Sequence, residues 1–270
     1  MKRMAFILCI IIILAKSLNA GCLFNSFCPQ QSALGNTCLG RYNNSSVIYV
    51  NPALLKLVER TSVAFDYQML YGLSELDLIN LSLSHDFGVM YTGLAYSNFG
   101  QPDIMVENRF ALVFSKDVYQ YFTLGLRWEH YRISFAEDFD DLGMNSISLG
   151  MAAQIDDVVF HTVLSNINSP RMVESQDKVD LEYRFGLCLR NLEYLVLNLE
   201  LSGKGDIRRY HFGQEIMLEE IFFIRLGLIT NPTMPSGGFG IKWNQFQIDY
   251  AINRHNQLGE THSFGFALNL

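Results

Sequence analysis

The chain has 270 residues, 49% of them hydrophobic and 13% aromatic, with a formal charge of −7. That acidic balance argues against a nucleic-acid partner, which is met by a basic patch or stripe. Beyond the first twenty residues no run reaches the roughly 18 apolar residues of a membrane helix, so the apolar content is spread by alternation.

Lys2 and Arg3 form a positive start, the run from Ala5 to Ala15 is apolar, and Leu18-Asn19-Ala20 ends in a small residue. This pattern predicts a secretory signal peptide over residues 1–20, and cleavage removes Lys2, Arg3 and Lys16 to leave a charge of −7 − 3 = −10. Cys22 opens a second reading, a lipidated N-terminal cysteine, against which Asn19 stands where a lipoprotein signal carries an aliphatic residue. An oxidising compartment also allows one disulfide among Cys22, Cys28 and Cys38, for instance Cys28 to Cys38; spacing does not fix the pairing. Cys188 reads as a small filler on a strand, and no Cys/His grouping has zinc-ligand spacing, so no metal or cofactor is expected.

Residues 21–60 lack strand periodicity and read as an N-terminal hatch or plug. Asn51-Pro52-Ala53 opens a short helix, with Asn as the cap and Pro at the first helical position. From residue 61 the period changes to two. About fourteen strands follow, at 61–70, 76–85, 88–97, 107–116, 121–133, 144–155, 158–165, 179–190, 192–201, 208–218, 221–229, 237–243, 246–252 and 261–270. In the last, Phe264, Phe266, Leu268 and Leu270 alternate with Ser263, Gly265, Ala267 and Asn269, which fits lipid on one face and a polar lumen on the other. Connections after even-numbered strands are tight, as at Asp86-Phe87, Asp156-Asp157, Asn191 and Asn244-Gln245. Those after most odd-numbered strands read as longer, at 98–106, 134–143, 166–178, 202–207, 230–236 and 253–260, the asymmetry of an outer-membrane barrel. The turn at Asn244-Gln245 sets Trp243 opposite Phe246 and Ile241 opposite Ile248 on the apolar face. Tyr71, Tyr91, Tyr121, Tyr131, Tyr194, Tyr210, Trp243 and Tyr250 fall near strand ends, compatible with interfacial girdles and equally with the general preference of aromatic residues for strands.

The expected fold is therefore an all-β antiparallel transmembrane barrel of about fourteen strands, residues 61–270, in the outer membrane of a Gram-negative-type envelope. Its partners are outer-membrane lipid and the barrel-assembly machinery. Alternation turns Asp66, Arg127, Glu129, Glu182, Arg184, Arg190, Arg209, Glu215, Arg225, Lys242 and Asp249 inward. They either line a polar conduit or, the favoured reading, pair across strands and plug a narrow barrel. The six histidines form no nucleophile and base at a recognisable spacing, so no catalytic residues and no enzymatic activity are expected.

Ala33-Leu34-Gly35-Asn36-Thr37, then Ser46 to Ala53 with its Asn51-Pro52-Ala53, resemble the lead-in of the FadL superfamily of barrels. Ile248-Asp249-Tyr250-Ala251 and Leu258-Gly259-Glu260-Thr261-His262 are similar to the tail of its PorV/PorQ branch. The resemblance implies a fourteen-stranded barrel with its N-terminal segment in the lumen. For the PorV-like branch it implies a role in type IX-like secretion with secretion-system partners. For FadL-like members it implies passage of hydrophobic small molecules.

Overall fold

The computed structural model describes residues 28–41, 43–136, 140–171 and 178–270; the predicted signal peptide and Cys22 lie outside them. Fourteen antiparallel strands close on themselves: β1 (Thr61–Met69), β2 (Asp77–Asp86), β3 (Tyr91–Gln101), β4 (Met105–Tyr119), β5 (Phe122–Phe135), β6 (Leu142–Ile155), β7 (Val158–Ser165), β8 (Glu182–Leu192), β9 (Leu195–Lys204), β10 (Ile207–Leu218), β11 (Phe222–Ile229), β12 (Met234–Trp243), β13 (Phe246–His255) and β14 (Gly259–Asn269). The seam joins β1 to β14, with Ser62 opposite Asn269 and Phe65 opposite Phe266. Closure leaves no unpaired sheet edge, the condition for a sheet to lie in hydrocarbon.

The faces separate as the alternation predicts. Val63, Phe65, Leu126, Phe185, Ile224, Ile248 and Phe266 stand exposed on the outer wall, and Phe185 is 49% open. Ser62, Asp66, Arg127, Glu129, Ser148 and Ser263 are buried on the inner one. A soluble protein does not present so large an apolar belt to water. The hairpin at 244–245 has the expected register, Trp243 opposite Phe246 and Ile241 opposite Ile248.

Three details differ from expectation. The connections after odd-numbered strands are shorter than their sequence suggests. Residues 202–207 collapse to a turn at 205–206, because Lys204 already pairs with Ile207, and β3 and β4 are separated only by 102–104. Apolar alternation reports contact with lipid, whereas the backbone ladder continues past the hydrocarbon into water. Only 166–181 keeps the expected length. The turn expected at Asn191 lies at 193–194, beyond a register shift between Leu189 and Leu192. Among the aromatic residues, Tyr121, Tyr194, Tyr210 and Trp243 are exposed at strand ends, but Tyr131 is buried in the lumen and Tyr91 packs against the lumenal core. Each shares its parity with inward neighbours, Tyr131 with Glu129 and Tyr91 with Gly93, and parity decides the face.

Residues 28–58 run within the ring of strands as α1 (Pro29–Ala33) and two 3-10 segments, Ser45–Tyr49 and Pro52–Leu57. The predicted cap forms: the Asn51 side chain accepts from Ala53 N, with Pro52 at the first position. Leu34, Leu39, Ile48 and Leu54 are fully buried, so the N-terminal segment is the core of the barrel. The segment meets the seam at Ser62, whose hydroxyl accepts from Ser45 N at 2.9 Å and donates to Asn269 Oδ1 at 2.6 Å.

Candidate functional site: a plugged lumen

The inner wall is shaped to the segment it holds. Under Asn51-Pro52-Ala53 the wall residues are Gly125 and Gly150; a Cβ on Gly125 would lie 2.5 Å from Ala53 N, and one on Gly150 would lie 2.1 Å from Asn51 Oδ1. Asn51 Nδ2 then donates to the Thr162 carbonyl of β7 at 3.0 Å. Across the ring, Gly213 and Gly227 let the backbone at Leu34-Gly35 approach, and a Cβ on Gly227 would lie 2.0 Å from Gly35 N. Gly35 itself has φ +68, a conformation that favours glycine. Side chains of the wall pair with this stretch: Ser236 Oγ accepts from Gly35 N and donates to Ala33 O, both at 3.1 Å, and Asn253 Nδ2 donates to Ser32 O.

Inward charges are tied to the segment at several places. Arg225 lies between Glu215, at 2.6 Å, and Asp249, while Glu215 accepts from Arg41 N at 2.6 Å. Asp66 accepts from the Ser46 hydroxyl at 2.7 Å. Arg184 pairs with Glu200 at 2.9 Å and donates to Asn36 O at 2.6 Å. Arg127 pairs with Glu129 at 2.9 Å and donates to Ile48 O at 2.8 Å, and the Arg109 guanidinium lies 4.7 Å above the Tyr49 ring. Such pairs offset the cost of burying charge, and removal of one partner strands the other.

The remaining predicted residues lie apart from these groups. Arg190 donates to Gly40 O at 2.7 Å, Arg209 donates to Asn231 O at 3.1 Å, Lys242 pairs with Glu59 at 2.6 Å, and Glu182 lines the outer mouth with Lys204. Sequence reasoning omitted Arg109 and Glu200 from the lining. Their parity within β4 and β9, the same as that of Ala111 and Asn198, was sufficient to find them.

Among the described residues Cys28, Cys38 and Cys188 are free thiols, so the pairing of Cys28 with Cys38 does not form; a pairing with Cys22 falls outside the described residues. The two belong to different surroundings: Cys28 begins α1 beside Asp66 and Asp249, whereas Cys38 lies against Glu200 of β9. Burial pushes both thiols well above their usual range, reinforced by Asp66 for Cys28 and by Glu200 for Cys38.

The rim with Thr61, Leu270 and the tighter turns corresponds to the periplasmic one by the usual asymmetry of outer-membrane barrels. Toward the opposite rim a vestibule lies between the inner wall and Tyr49 and Val50 of the segment. Tyr131, Met144 and Val179 form an apolar collar along part of its lining, level with Arg109, and the charged Arg127, Glu129, Glu182, Arg184 and Lys204 line the rest. Its volume is about 50 Å³, against the roughly 150 Å³ of an apolar cavity known to admit benzene. The conformation is closed to a solute of that size.

No protein-family model matches the chain, and no curated protein matches its sequence. Solved structures do match in shape. The Pseudomonas putida toluene transporter TodX aligns with a TM-score of 0.63 at 9% identity over 90% of this chain and 96% of its own. The Ralstonia pickettii toluene transporter TbuX aligns with a TM-score of 0.63 at 11% identity over 92% and 99%. A Pseudomonas aeruginosa FadL homologue aligns with a TM-score of 0.65 at 10% identity over 93% and 100%. The fold is that of FadL-type outer-membrane barrels. At these identities the likeness is one of architecture, and with the lipid-facing belt it puts the protein in the outer membrane. The FadL-type fold is the level at which the resemblance of the chain's two ends is matched; the narrower PorV/PorQ likeness rests on those end motifs alone.

Proposed function

We propose that this protein is a transporter that admits hydrophobic small molecules through the outer membrane, with residues 28–58 acting as its hatch. The observation that carries the reading is the vestibule: a pocket at the outer rim, partly lined by Tyr131, Met144 and Val179, is bounded by Tyr49 and Val50 of the hatch rather than by the wall alone. Hydrocarbon channels and toluene transporters of the same fold support it over a secretion role, for which short loops offer little surface to hold a protein partner. No step of catalysis is invoked. The wall's charges act as anchors for the hatch, and solute passes when the apolar 3-10 half of the segment moves away from the collar.

A reversible lock tests this. Ser45 Oγ of the hatch and Ser82 Oγ of β2 are 2.7 Å apart, so Ser45→Cys with Ser82→Cys places two thiols within bridging reach. Uptake of labelled toluene into proteoliposomes is expected in the unmodified protein, lost when the pair is oxidised and restored on reduction. Uptake no faster than in protein-free liposomes would overturn the transport reading; uptake indifferent to the lock would overturn the moving hatch.

A further inference from the structure

Cys38, His161 and Glu200 come together although they lie on three separate parts of the chain: the lumenal segment, β7 and β9. All three are buried, and one ligand atom from each lies within 4.8 Å of the other two. Linear spacing gave no hint of this, because the residues are 123 and 39 positions apart (161 − 38 and 200 − 161). His161 Nε2 is 3.3 Å from Glu200 Oε1, and Cys38 Sγ is 3.6 Å from Glu200 Oε2. Tetrahedral zinc with ordinary bond lengths separates a nitrogen from an oxygen ligand by about 3.3 Å and a sulfur from an oxygen ligand by about 3.6 Å. The two contacts run to different oxygens of Glu200, Oε1 for His161 and Oε2 for Cys38, so a cation held at these distances meets both oxygens of the carboxylate.

The second observation is the state of the imidazole. The His161 side chain is fully buried; its Nε2 meets the Glu200 carboxylate at 3.3 Å, and its Nδ1 has no hydrogen-bond partner among the described residues. A buried polar atom without a partner is costly and calls for an explanation. The wall makes room for the ring, since a Cβ on Gly186 would lie 2.1 Å from His161 Nε2. Glu200 is shared between Arg184 and the imidazole, which leaves the Nδ1 side of the ring unexplained.

The geometry points to a binding site for a borderline-soft divalent cation, zinc, held by Cys38 Sγ, His161 Nε2 and the Glu200 carboxylate, which clips the lumenal segment to strands β7 and β9. Mixed sulfur, nitrogen and oxygen donors suit Zn²⁺ rather than the oxygen-loving Mg²⁺ or Ca²⁺. Because one ligand belongs to the segment and two to the wall, occupancy favours the plugged conformation over any in which residue 38 has moved away. The inference needs only the fold and holds whether or not the barrel transports a solute.

The test uses the full chain folded in detergent. After dialysis against zinc and then buffer, about one zinc per chain is expected by elemental analysis, the count for a single site of this kind. Co²⁺ in its place should give a thiolate-to-cobalt band in the near ultraviolet. Cys38→Ser should abolish the band and His161→Gln should weaken cobalt binding more than about tenfold, while Cys28→Ser, away from the site, leaves both unchanged. Zinc should also slow proteolysis of the lumenal segment, and chelation should reverse it. Absence of the cobalt band in the unmodified chain would overturn the site. So would an undiminished band in folded Cys38→Ser; should that variant fail to fold, the unmodified chain and His161→Gln decide.

Discussion

The two halves of the lumenal segment are held by a different balance of forces. The stretch from Cys28 to Arg41 is tied to β8–β13 by directed polar contacts: Ser236 to Gly35 and Ala33, Asn253 to Ser32, Arg184 to Asn36, Asn198 to Leu39 O, and Glu215 to Arg41. The stretch from Val47 to Leu55 is a wedge of Val47, Ile48, Tyr49, Val50, Leu54 and Leu55 packed on Ala95, Ala111, Val113 and Ala152 of β3–β6. Withdrawing the first half leaves charges and amides without partners in a dry interior. Withdrawing the second also breaks polar contacts, Arg127 to Ile48 O, Asn51 to Thr162 O and the Tyr49 hydroxyl to Leu81 O and Tyr96 O, but it exposes more apolar surface, a loss that an incoming hydrophobic molecule can offset. The difference identifies the wedge as the half able to move and the polar half as its anchor.

The deepest cut at the anchor is Arg225→Ala. It strands Glu215 and Asp249 together in a site where both are almost fully buried, and the expected loss is about 3–5 kcal/mol in urea unfolding of the vesicle-embedded barrel. Leu54→Ala cuts the wedge instead. It should cost about 3 kcal/mol by leaving a cavity in the lumenal core, and it should speed proteolysis near residue 54 more than near residue 35. Ser236→Ala is the mildest, at about 1–2 kcal/mol, because it removes one hydroxyl that serves two backbone groups at the rim of the anchor. Were Ser236→Ala to release the 47–55 stretch to protease as readily as Leu54→Ala does, the two halves would be one cooperative unit and the distinction would fail.

The wall was largely legible from the sequence because a membrane imposes its period on every strand. Phe264, Phe266 and Leu268 had to face lipid, and the pairing of Trp243 with Phe246 followed from a two-residue turn. The plug was legible only in outline. Asn51-Pro52 announces a capped turn, but nothing periodic in residues 28–58 says that Asn36 O meets Arg184 or that Cys38 meets Glu200. Those contacts depend on how an irregular chain crosses a cylinder, and the inward glycines that admit it, Gly125, Gly150 and Gly227, look in sequence like any small residue on a lumen face. Tyr131 was misread for a related reason: closeness to a strand end suggests the interface, while the pleat turns the ring inward.

Ser62 has a consequence for assembly. Its single hydroxyl is shared between the plug, through Ser45, and the final strand, through Asn269. A cylinder that closed around nothing would leave that oxygen half served, and a seated plug without the last strand would leave its proton unclaimed. Filling the tube and zipping its seam are thereby reported by the same atom, so a nascent barrel is complete only when both ends of its chain have arrived.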